Sequence, residues 1–265
     1  MSAAGLGLIA ENISLRRGGR LILDRISIEV APSEFLSIVG PNGSGKSSLL
    51  RALAGIWDLA EGSVRIGAKK LDEFHRRELA QRVAFVPQDT RMDFAFTVEE
   101  VVAMGRHPRR GRFERASSMD RRAIEAALAS CDIAQLRGRF VTNLSGGERQ
   151  RVIIARSLAV EPEIILLDEP TASLDIQHAL EILDLCRNLA FAGKSIVLAT
   201  HDLNAVARYA EKVVLLESGR VAYSGDCSGV LKANVLDRVF GVSAERLQSA
   251  GGHPVYVFER RSAAQ

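Results

Sequence analysis

Residues 40–47 are Gly40-Pro41-Asn42-Gly43-Ser44-Gly45-Lys46-Ser47 and match the pattern G-x-x-x-x-G-K-[ST] of a phosphate-binding loop. An apolar run at 35–39 precedes the loop and predicts a buried strand, and residues 47–54 predict a helix that ends at Gly55. Glycines allow successive backbone N–H groups to face phosphate oxygens, and the helix N-terminus adds its positive dipole end. Because the motif lies between this strand and helix, we prefer a nucleotide-phosphate site to a chance glycine-rich turn.

Three polar side chains at the end of the loop have predicted roles. The positive charge of Lys46 is expected to interact with the β- and γ-phosphates. Ser47 is expected to ligate Mg²⁺, and Ser48 to donate a hydrogen bond near the α-phosphate. Catalysis of phosphoryl transfer is mostly positioning and charge stabilisation, which these groups supply. The predicted cofactors are ATP and Mg²⁺.

An acidic pair follows a second apolar run, 164–167. In P-loop NTPases a carboxylate at the end of such a strand helps to hold the metal, and we predict this role for Asp168. Glu169 would then polarise the attacking water as a general base. Taken alone, an Asp-Glu pair before Pro170 is more often a helix cap or a turn, and its combination with Lys46 favours the catalytic interpretation.

The other apolar runs predict the architecture. Residues 8–15 and 26–30 flank a turn at Gly18-Gly19 and predict an antiparallel hairpin. Buried strands with helical stretches between them indicate a mostly parallel sheet, and they are predicted at 83–86, 164–167, 195–199 and 213–216. No β-rich run occurs between Thr97 and Leu158, where amphipathic patterns predict helices at 119–129 and 146–158.

These patterns predict an α/β protein with a P-loop NTPase core of the RecA-like type, an N-terminal antiparallel β subdomain and an inserted helical subdomain. We expect one domain over residues 1–240, with the insertion at about 92–158. Short apolar clusters near the end predict a small C-terminal appendage over residues 241–265.

The composition is that of an ordinary soluble globular protein, with 47% hydrophobic and 25% charged residues. A net charge of +3 neither demands nor excludes a polyanionic partner. The longest apolar runs are strand-sized, and the first residues lack the pattern of an export signal, so we expect a cytoplasmic protein. Cys131, Cys186 and Cys227 lie far apart in sequence and are predicted to be reduced packing residues.

Four further short motifs occur in the order found in one family. One resembles the signature motif of ABC transporter ATPases: Leu144-Ser145-Gly146-Gly147-Glu148-Arg149-Gln150. Gln88 resembles the Q-loop glutamine, residues 173–175 resemble the D-loop, and His201 resembles the switch histidine. The resemblance covers about residues 12–225 and implies an ATP-hydrolysing transporter subunit in which the helical insertion carries the signature.

The resemblance also implies roles for single residues. His201 would contact the γ-phosphate and the catalytic water, and Gln88 would reach the metal and the water and sense the membrane subunit. Without the resemblance, His201 would be interpreted as a structural histidine and Gln88 as a surface glutamine. With it, the predicted catalytic residues are Glu169, His201 and Gln88, and the predicted metal ligands are Ser47, Gln88 and Asp168.

Ser145, Gly146 and Gly147 begin a predicted helix and therefore form a second anion-binding N-terminus in the chain. The family resemblance implies a head-to-tail dimer in which these residues close over the γ-phosphate held by Lys46 of a second copy, with the same surface used twice. Ser145 with Glu148 also fits a plain capping box, which is compatible with this role.

The sequence departs from the family in its first hairpin, where most relatives carry an aromatic ring that stacks on adenine. Arg17 occupies that position, with Leu15 nearby. A planar guanidinium can stack on a base, so we predict that Arg17 replaces the ring. The alternative is that Arg17 is solvated and base stacking is weak.

Residues 96–108 and 235–241 resemble the importers of ferric siderophores, haem and cobalamin, with a ferric siderophore as the first expectation for the cargo. The resemblance implies four features of the assembly: a second copy of the chain, polytopic permease subunits, an indirect extracytoplasmic binding protein, and a place at the cytoplasmic face of the inner (cell) membrane. His107 and His253 are isolated, and we give neither a metal or haem role.

Two other functions were weighed. An ABC ATPase acting on nucleic acid or ribosomes is disfavoured, because the chain has neither a long coiled coil nor tandem ATPase modules. A basic run could also indicate nucleic-acid binding, but apart from Phe113 it lacks aromatic residues between its arginines: Arg106, Arg109, Arg110, Arg112 and Arg115. A solvated or membrane-facing loop, attracted by anionic lipids, is the preferred interpretation, with no nucleic-acid partner. A regulatory module without turnover is disfavoured by the presence of Glu169 and His201.

Overall fold

The computed structural model describes residues 7–89, 92, 94–111, 114–249, 252 and 254–260. The strands are β1 (Leu8–Arg17), β2 (Arg20–Val30), β3 (Phe35–Val39), β4 (Glu61–Ile66), β5 (Lys69–Lys70), β6 (Val83–Val86), β7 (Ile164–Asp168), β8 (Ser195–Ala199), β9 (Lys212–Glu217), β10 (Arg220–Gly225), β11 (Val242–Gln248) and β12 (Pro254–Arg260). The α-helices are α1 (Lys46–Leu53), α2 (Arg76–Arg82), α3 (Val98–Met104), α4 (Ser118–Ser130), α5 (Gly146–Leu158), α6 (Ile176–Phe191), α7 (Leu203–Tyr209), α8 (Cys227–Val230) and α9 (Ala233–Phe240). Within these residues, no helix combines the length and apolar character needed to cross a bilayer.

The strands form three sheets. A four-stranded antiparallel sheet has the order β2-β1-β4-β5, and a six-stranded sheet has the order β10-β9-β3-β8-β7-β6. In the larger sheet all neighbours are parallel except β9 and β10. The predicted hairpin, the parallel core and the α/β class are therefore confirmed. The sequence analysis did not predict β4, β5 or α2.

The centre of the larger sheet is buried on both faces. Every residue of β3, β7 and β8 is buried, as expected for parallel strands covered by helices. The register pairs Ile38 with Ala199 and Asp168 with Ala199, so the carboxyl ends of the three strands meet at one edge. In open parallel sheets, ligands bind at this edge.

The predicted helical insertion is formed by α3, α4 and α5, with no strand in 98–111 and 114–158 and one isolated bridge between Thr97 and Phe140. Each helix begins with a reciprocal capping box: Thr97 with Glu100, Ser117 with Asp120, and Ser145 with Glu148. The predicted helices at 119–129 and 146–158 are confirmed as α4 and α5. The boundaries of the helical insertion as a subdomain, about residues 92–158, stay a prediction.

The C-terminal segment packs on the core. Leu236 of α9 and Tyr256 of β12 share a hydrophobic cluster with Val39 of β3 and Leu215 of β9, which are paired in the sheet. Strands β11 and β12 pair only with each other among the described strands. A division between residues 240 and 241 stays a prediction, and His253 and residues 261–265 lie outside the described part.

The three cysteines are free thiols, as predicted. Cys131 and Cys186 are buried, and burial raises the pKa of each thiol to about 12. Cys227 is half-buried, and the same cause raises its pKa to about 11. Such thiols remain protonated at neutral pH and act as small apolar groups in the core.

Candidate active site

A cavity of about 880 Å³ lies at the carboxyl edge of the parallel sheet. Most of the residues predicted for the nucleotide site line it: Gly40, Pro41, Asn42, Gly43, Gly45, Lys46, Ser47, Ser48, Gln88, Glu169 and His201. Three further residues complete the lining, Ile22, Ala172 and Phe240. Ser44, although part of the motif, lies behind the loop with a buried hydroxyl.

Two loop glycines are required by their positive φ angles and by close neighbours. Gly40 has φ +152°, and a Cβ there would lie 2.3 Å from the carbonyl oxygen of Leu216. Gly45 has φ +107°, and a Cβ there would lie 2.8 Å from Leu23. No side chain fits either position, so the loop can approach its neighbours closely and turn into α1 at Lys46. The local sequence thus places the N-terminus of α1 at the cavity.

Lys46 is almost fully buried beneath the loop. Its Nζ donates to the carbonyl oxygens of Gly40 at 2.9 Å and of Pro41 at 3.3 Å. The same Nζ lies 3.5 Å from Oε1 of Glu169. The ammonium is therefore fixed by the loop backbone and faces the predicted base.

Ser47 lines the loop cavity and is hydrogen-bonded to Asp168 at the end of β7. The Ser47 hydroxyl donates to Oδ1 of Asp168 at 2.8 Å. Oδ2 of Asp168 is buried and has no hydrogen-bond partner, while Arg51 is 3.9 Å away. Burial raises the pKa of this carboxyl, against the opposing hydrogen bond from Ser47. A buried carboxylate oxygen without a donor is a position that a cation can satisfy.

Glu169 is the point where the predicted catalytic side chains meet. Nε2 of Gln88 donates to its Oε2 at 3.4 Å, and Nδ1 of His201 lies 3.3 Å from the same oxygen. The Glu169 backbone has φ +46°, a conformation that non-glycine residues rarely adopt. Its N–H donates to the carbonyl oxygen of Ala199, which holds this conformation at the end of β7. Such strain is characteristic of functional positions.

The same chain matches known proteins along most of its length. The profile described as "ABC transporter" matches residues 23–172, more than half of the chain. The chain belongs to the ABC transporter family.

Relatives and solved structures of this family can be compared with the chain. The hemin import ATP-binding protein HmuV of Rhodococcus jostii (strain RHA1) is 44% identical over 248 residues, covering 94% of this chain and 83% of that protein. A structure reported as an inward-facing conformation of a metal-chelate type ABC transporter has a TM-score of 0.84 at 28% identity, covering 96% of this chain and 98% of that chain. A dimeric post-hydrolysis structure of the ATP-binding cassette MJ0796, bound to ADP and Pi, has a TM-score of 0.71 at 30% identity, covering 83% and 98% of the two chains. These similarities confirm the predicted fold and the predicted class, an ATP-binding subunit of an ABC importer.

The signature segment of this ABC ATPase does not line the loop cavity, although Gly146 lines a second pocket together with Gln88 and Glu169. Ser145 caps α5 by accepting from the Glu148 N–H at 3.2 Å, and its own N–H donates to Glu148 at 2.8 Å. Ser145 and Gly146 are exposed, and neither they nor Gly147 line the cavity. The capping-box interpretation is confirmed, and contact with a nucleotide stays a prediction.

The sequence analysis missed His178. A Cβ on the buried Gly147 would lie 2.4 Å from the His178 ring, so this ring packs directly on the signature glycine. Nδ1 of His178 also lies 2.7 Å from Asp175, the D-loop carboxylate. His178 thereby connects the signature segment with the D-loop. The sequence contained one indication of this contact: His178 lies three residues after Asp175, and side chains at this spacing are neighbours on a helix.

Arg17 is positioned against a tryptophan. Its guanidinium lies 4.5 Å from the ring centroid of Trp57, and Arg17 is not among the residues that line the loop cavity. Adenine stacking by Arg17 therefore has no support from this geometry, and it stays a prediction. The large apolar side chains of the cavity come from Ile22 and Phe240, which the sequence analysis did not assign to the site.

Arg106, the first arginine of the basic run, is buried and does not belong to a solvated loop as predicted. Arg106 is 3% exposed and donates to Asp120 and to Glu161, each at 2.8 Å, and to the carbonyl oxygen of Ala159 at 2.6 Å. This buried contact lowers the pKa of Asp120 to about 2. The interpretation of Arg106 as a solvated or lipid-facing residue is wrong, because its guanidinium is buried among these partners. The partners Asp120 and Glu161 lie 14 and 55 residues away in the sequence.

The other members of the basic run have different surroundings. Arg109 and Arg110 donate to backbone carbonyl oxygens, Arg115 is exposed, and Arg112 lies outside the described residues. His107 is exposed. The described residues contain no group of three or more His, Cys, Asp or Glu side chains suited to holding a metal ion.

Proposed function

We propose that this ABC ATPase hydrolyses ATP, with Mg²⁺ and as a pair of copies, to power the import of haem through a membrane permease. The observation that carries the hydrolytic part is the position of Glu169. Its carboxylate faces Lys46, Gln88 and His201 at the edge of the loop cavity. A module that only binds a nucleotide has no need of a base surrounded by these three groups.

The side chains divide the reaction between them. Lys46 faces the phosphates with a charge fixed by the loop backbone, which stabilises negative charge as it develops. Glu169 accepts a proton from the attacking water. Gln88 and His201 hold the Glu169 carboxylate from one side and orient that water. The strained backbone of Glu169 fixes the carboxylate before the substrate arrives.

The donor set fits a magnesium ion. Mg²⁺ prefers hard oxygen ligands, and the Ser47 hydroxyl and the Asp168 carboxylate present them side by side. The buried Oδ2 of Asp168, which has no donor, supports this assignment. Ser47 and Asp168 would hold the ion, with Gln88 within reach of the same cavity. Bound there, the ion would neutralise charge on the β- and γ-phosphates.

A second copy is proposed because the two anion-binding helix ends do not meet in one chain. The N-terminus of α1 lines the loop cavity, whereas Ser145, Gly146 and Gly147 at the start of α5 do not. A two-fold pair of copies would bring each exposed signature segment over the cavity of the other. The similar ATP-binding cassette bound to ADP and Pi is dimeric, which supports this arrangement.

The permease, the location and the cargo are proposed from relatives. A structure of the metal-chelate type and a hemin import protein both align with more than nine-tenths of this chain. We therefore place the chain at the cytoplasmic face of the cell membrane, bound to permease subunits. These subunits would receive the cargo from an external binding protein. The hemin import relative favours haem over the ferric siderophore expected first.

Purification from native membranes tests the transport assignment. An affinity-tagged chain is recovered from the host with and without added ATP, and co-purifying proteins are identified. We expect a polytopic membrane protein, and vesicles with the recovered complex should accumulate haem when supplied with ATP. A complex carrying Glu169→Gln should bind ATP without accumulating haem. Recovery of ribosomes or nucleic acid in place of a membrane protein would contradict the proposal.

A further inference from the structure

The lining of the loop cavity combines polar side chains predicted to bind phosphate with two large apolar side chains. Lys46, Ser47 and Glu169 mark the position of the terminal phosphates. Ile22 is beside the start of α1, because a Cβ on Gly45 would lie 3.5 Å from its carbonyl oxygen. A nucleotide whose phosphates follow the loop needs an apolar surface for its base, and Ile22 and Phe240 are the large apolar side chains of the lining.

Helix α9 holds Phe240 at this cavity. Leu236, one helical turn earlier, is fully buried in the cluster that contains Val39 and Leu215. Val39 is the residue immediately before the phosphate loop, so this anchor fixes α9 against the base of the loop. Residues i and i+4 share one face of a helix, which directs Phe240 to the same side. Phe240 is half-buried, with part of its ring packed on this cluster and part facing the cavity.

The usual source of a stacking ring is absent from the first hairpin. Arg17 occupies that place, and its guanidinium lies over Trp57, outside the lining of the cavity. Among the described lining residues, Phe240 provides the only benzene ring. A purine stacked on such a ring gains both buried area and π contact.

We propose that Phe240, with Ile22 as the other large apolar side chain of the cavity lining, provides the stacking surface for the adenine base of ATP. The C-terminal helix then completes the nucleotide site in place of a ring in the first hairpin. Residue 240 lies well beyond the match to the family profile, which ends at residue 172. This inference rests on the proposed ATP-binding function and names the residue that recognises the base.

Equilibrium binding of ATP and of inorganic tripolyphosphate separates base recognition from phosphate recognition. The full-length chain is compared with Phe240→Ala, Phe240→Leu, Phe240→Tyr and the matched hairpin variant Arg17→Ala. We expect Phe240→Ala and Phe240→Leu to weaken ATP binding about tenfold, with tripolyphosphate affinity unchanged. Phe240→Tyr keeps a ring and should bind ATP as the unmodified chain does. Arg17→Ala tests the competing stacking residue of the first hairpin.

The outcomes distinguish this inference from the function on which it rests. Unchanged ATP affinity in Phe240→Ala and Phe240→Leu would overturn it, as would a selective loss in Arg17→Ala alone. Equal weakening of ATP and tripolyphosphate by Phe240→Leu would also overturn it, since a packing defect would then explain the loss. If the unmodified chain bound neither ligand, the proposed ATPase function itself would fail.

Discussion

Nζ of Lys46 lies 3.5 Å from Oε1 of Glu169, so the lysine proposed to bind phosphate and the proposed general base are direct neighbours. Lys46→Ala removes a buried charge that is also hydrogen-bonded to two loop carbonyls. We expect ATP affinity to fall by about tenfold or more, because charged hydrogen bonds contribute about 1.5–3 kcal/mol. Lys69 is a suitable control, since it pairs with Glu78 away from the cavity. Titration calorimetry that found equal losses in Lys46→Ala and Lys69→Ala would contradict this role.

Asp168→Asn should separate stability from activity. The pKa of Asp168 is raised by burial, so the folded protein binds its proton more readily than the unfolded chain does. Its contribution to stability is therefore greatest at low pH and declines as pH rises through the raised pKa. The neutral amide should keep the melting temperature at neutral pH equal or higher, while ATP hydrolysis is lost.

Magnesium provides the second readout for Asp168. Mg²⁺ with ADP should raise the melting temperature of the unmodified chain and have little effect on Asp168→Asn. A thermal melt in which Asp168→Asn is strongly destabilised, or in which Mg²⁺ shifts both proteins equally, would speak against Asp168 as a metal ligand.

The buried pair between Arg106 and Asp120 should control stability in acid. The pKa of Asp120 is about 2, below its ordinary value of 3.8, because Arg106 and the Ser117 N–H bond its charged form. This contribution is complete above about pH 4 and is lost as pH falls towards 2. Arg106→Ala leaves a buried carboxylate without its charge partner and should cost about 3–5 kcal/mol of unfolding free energy. Arg115→Ala, on the exposed part of the same basic run, should cost less than about 0.5 kcal/mol in urea unfolding.

The packing of His178 on Gly147 predicts a suppressor. In Gly147→Ala the new methyl group would lie 2.4 Å from the His178 ring, which must move away from Asp175. We expect the rate of ATP hydrolysis to fall at least about tenfold, because moving a positioning group by about 1 Å can lower a rate by that factor or more. Adding His178→Ala removes the clash and should restore part of the activity. Gly138→Ala is the control, because no atom lies within 4 Å of its added Cβ. Full activity in Gly147→Ala would contradict this coupling.

The sequence predicted those parts of the site that depend on local patterns. The loop from Gly40 to Ser47 needs a strand before it and a helix after it, and both neighbours are visible as apolar periodicity. Asp168 and Glu169 follow a buried strand in the same manner. Motifs of this kind carry their structural context with them, so their geometry could be anticipated.

Long-range packing was not predictable in the same way. Nothing near Arg106 in the sequence shows that Glu161 and Asp120 surround it, and an arginine among arginines suggested a solvated loop. Phe240 reaches the cavity only because Leu236 anchors α9 next to Val39. Strand β4 begins with the exposed residues Glu61 and Gly62, so only Val64 and Ile66 mark it as apolar in the sequence.

The hydrolytic role of Glu169 is tested most directly by phosphate release from the purified chain and from Glu169→Gln, with ATP binding measured on the same samples. The amide retains the size of the side chain and removes the base. We expect ATP to bind both proteins and phosphate release to fall by about a hundredfold or more in Glu169→Gln, as for the loss of a general base. Equal rates of phosphate release from the two proteins would contradict the assignment.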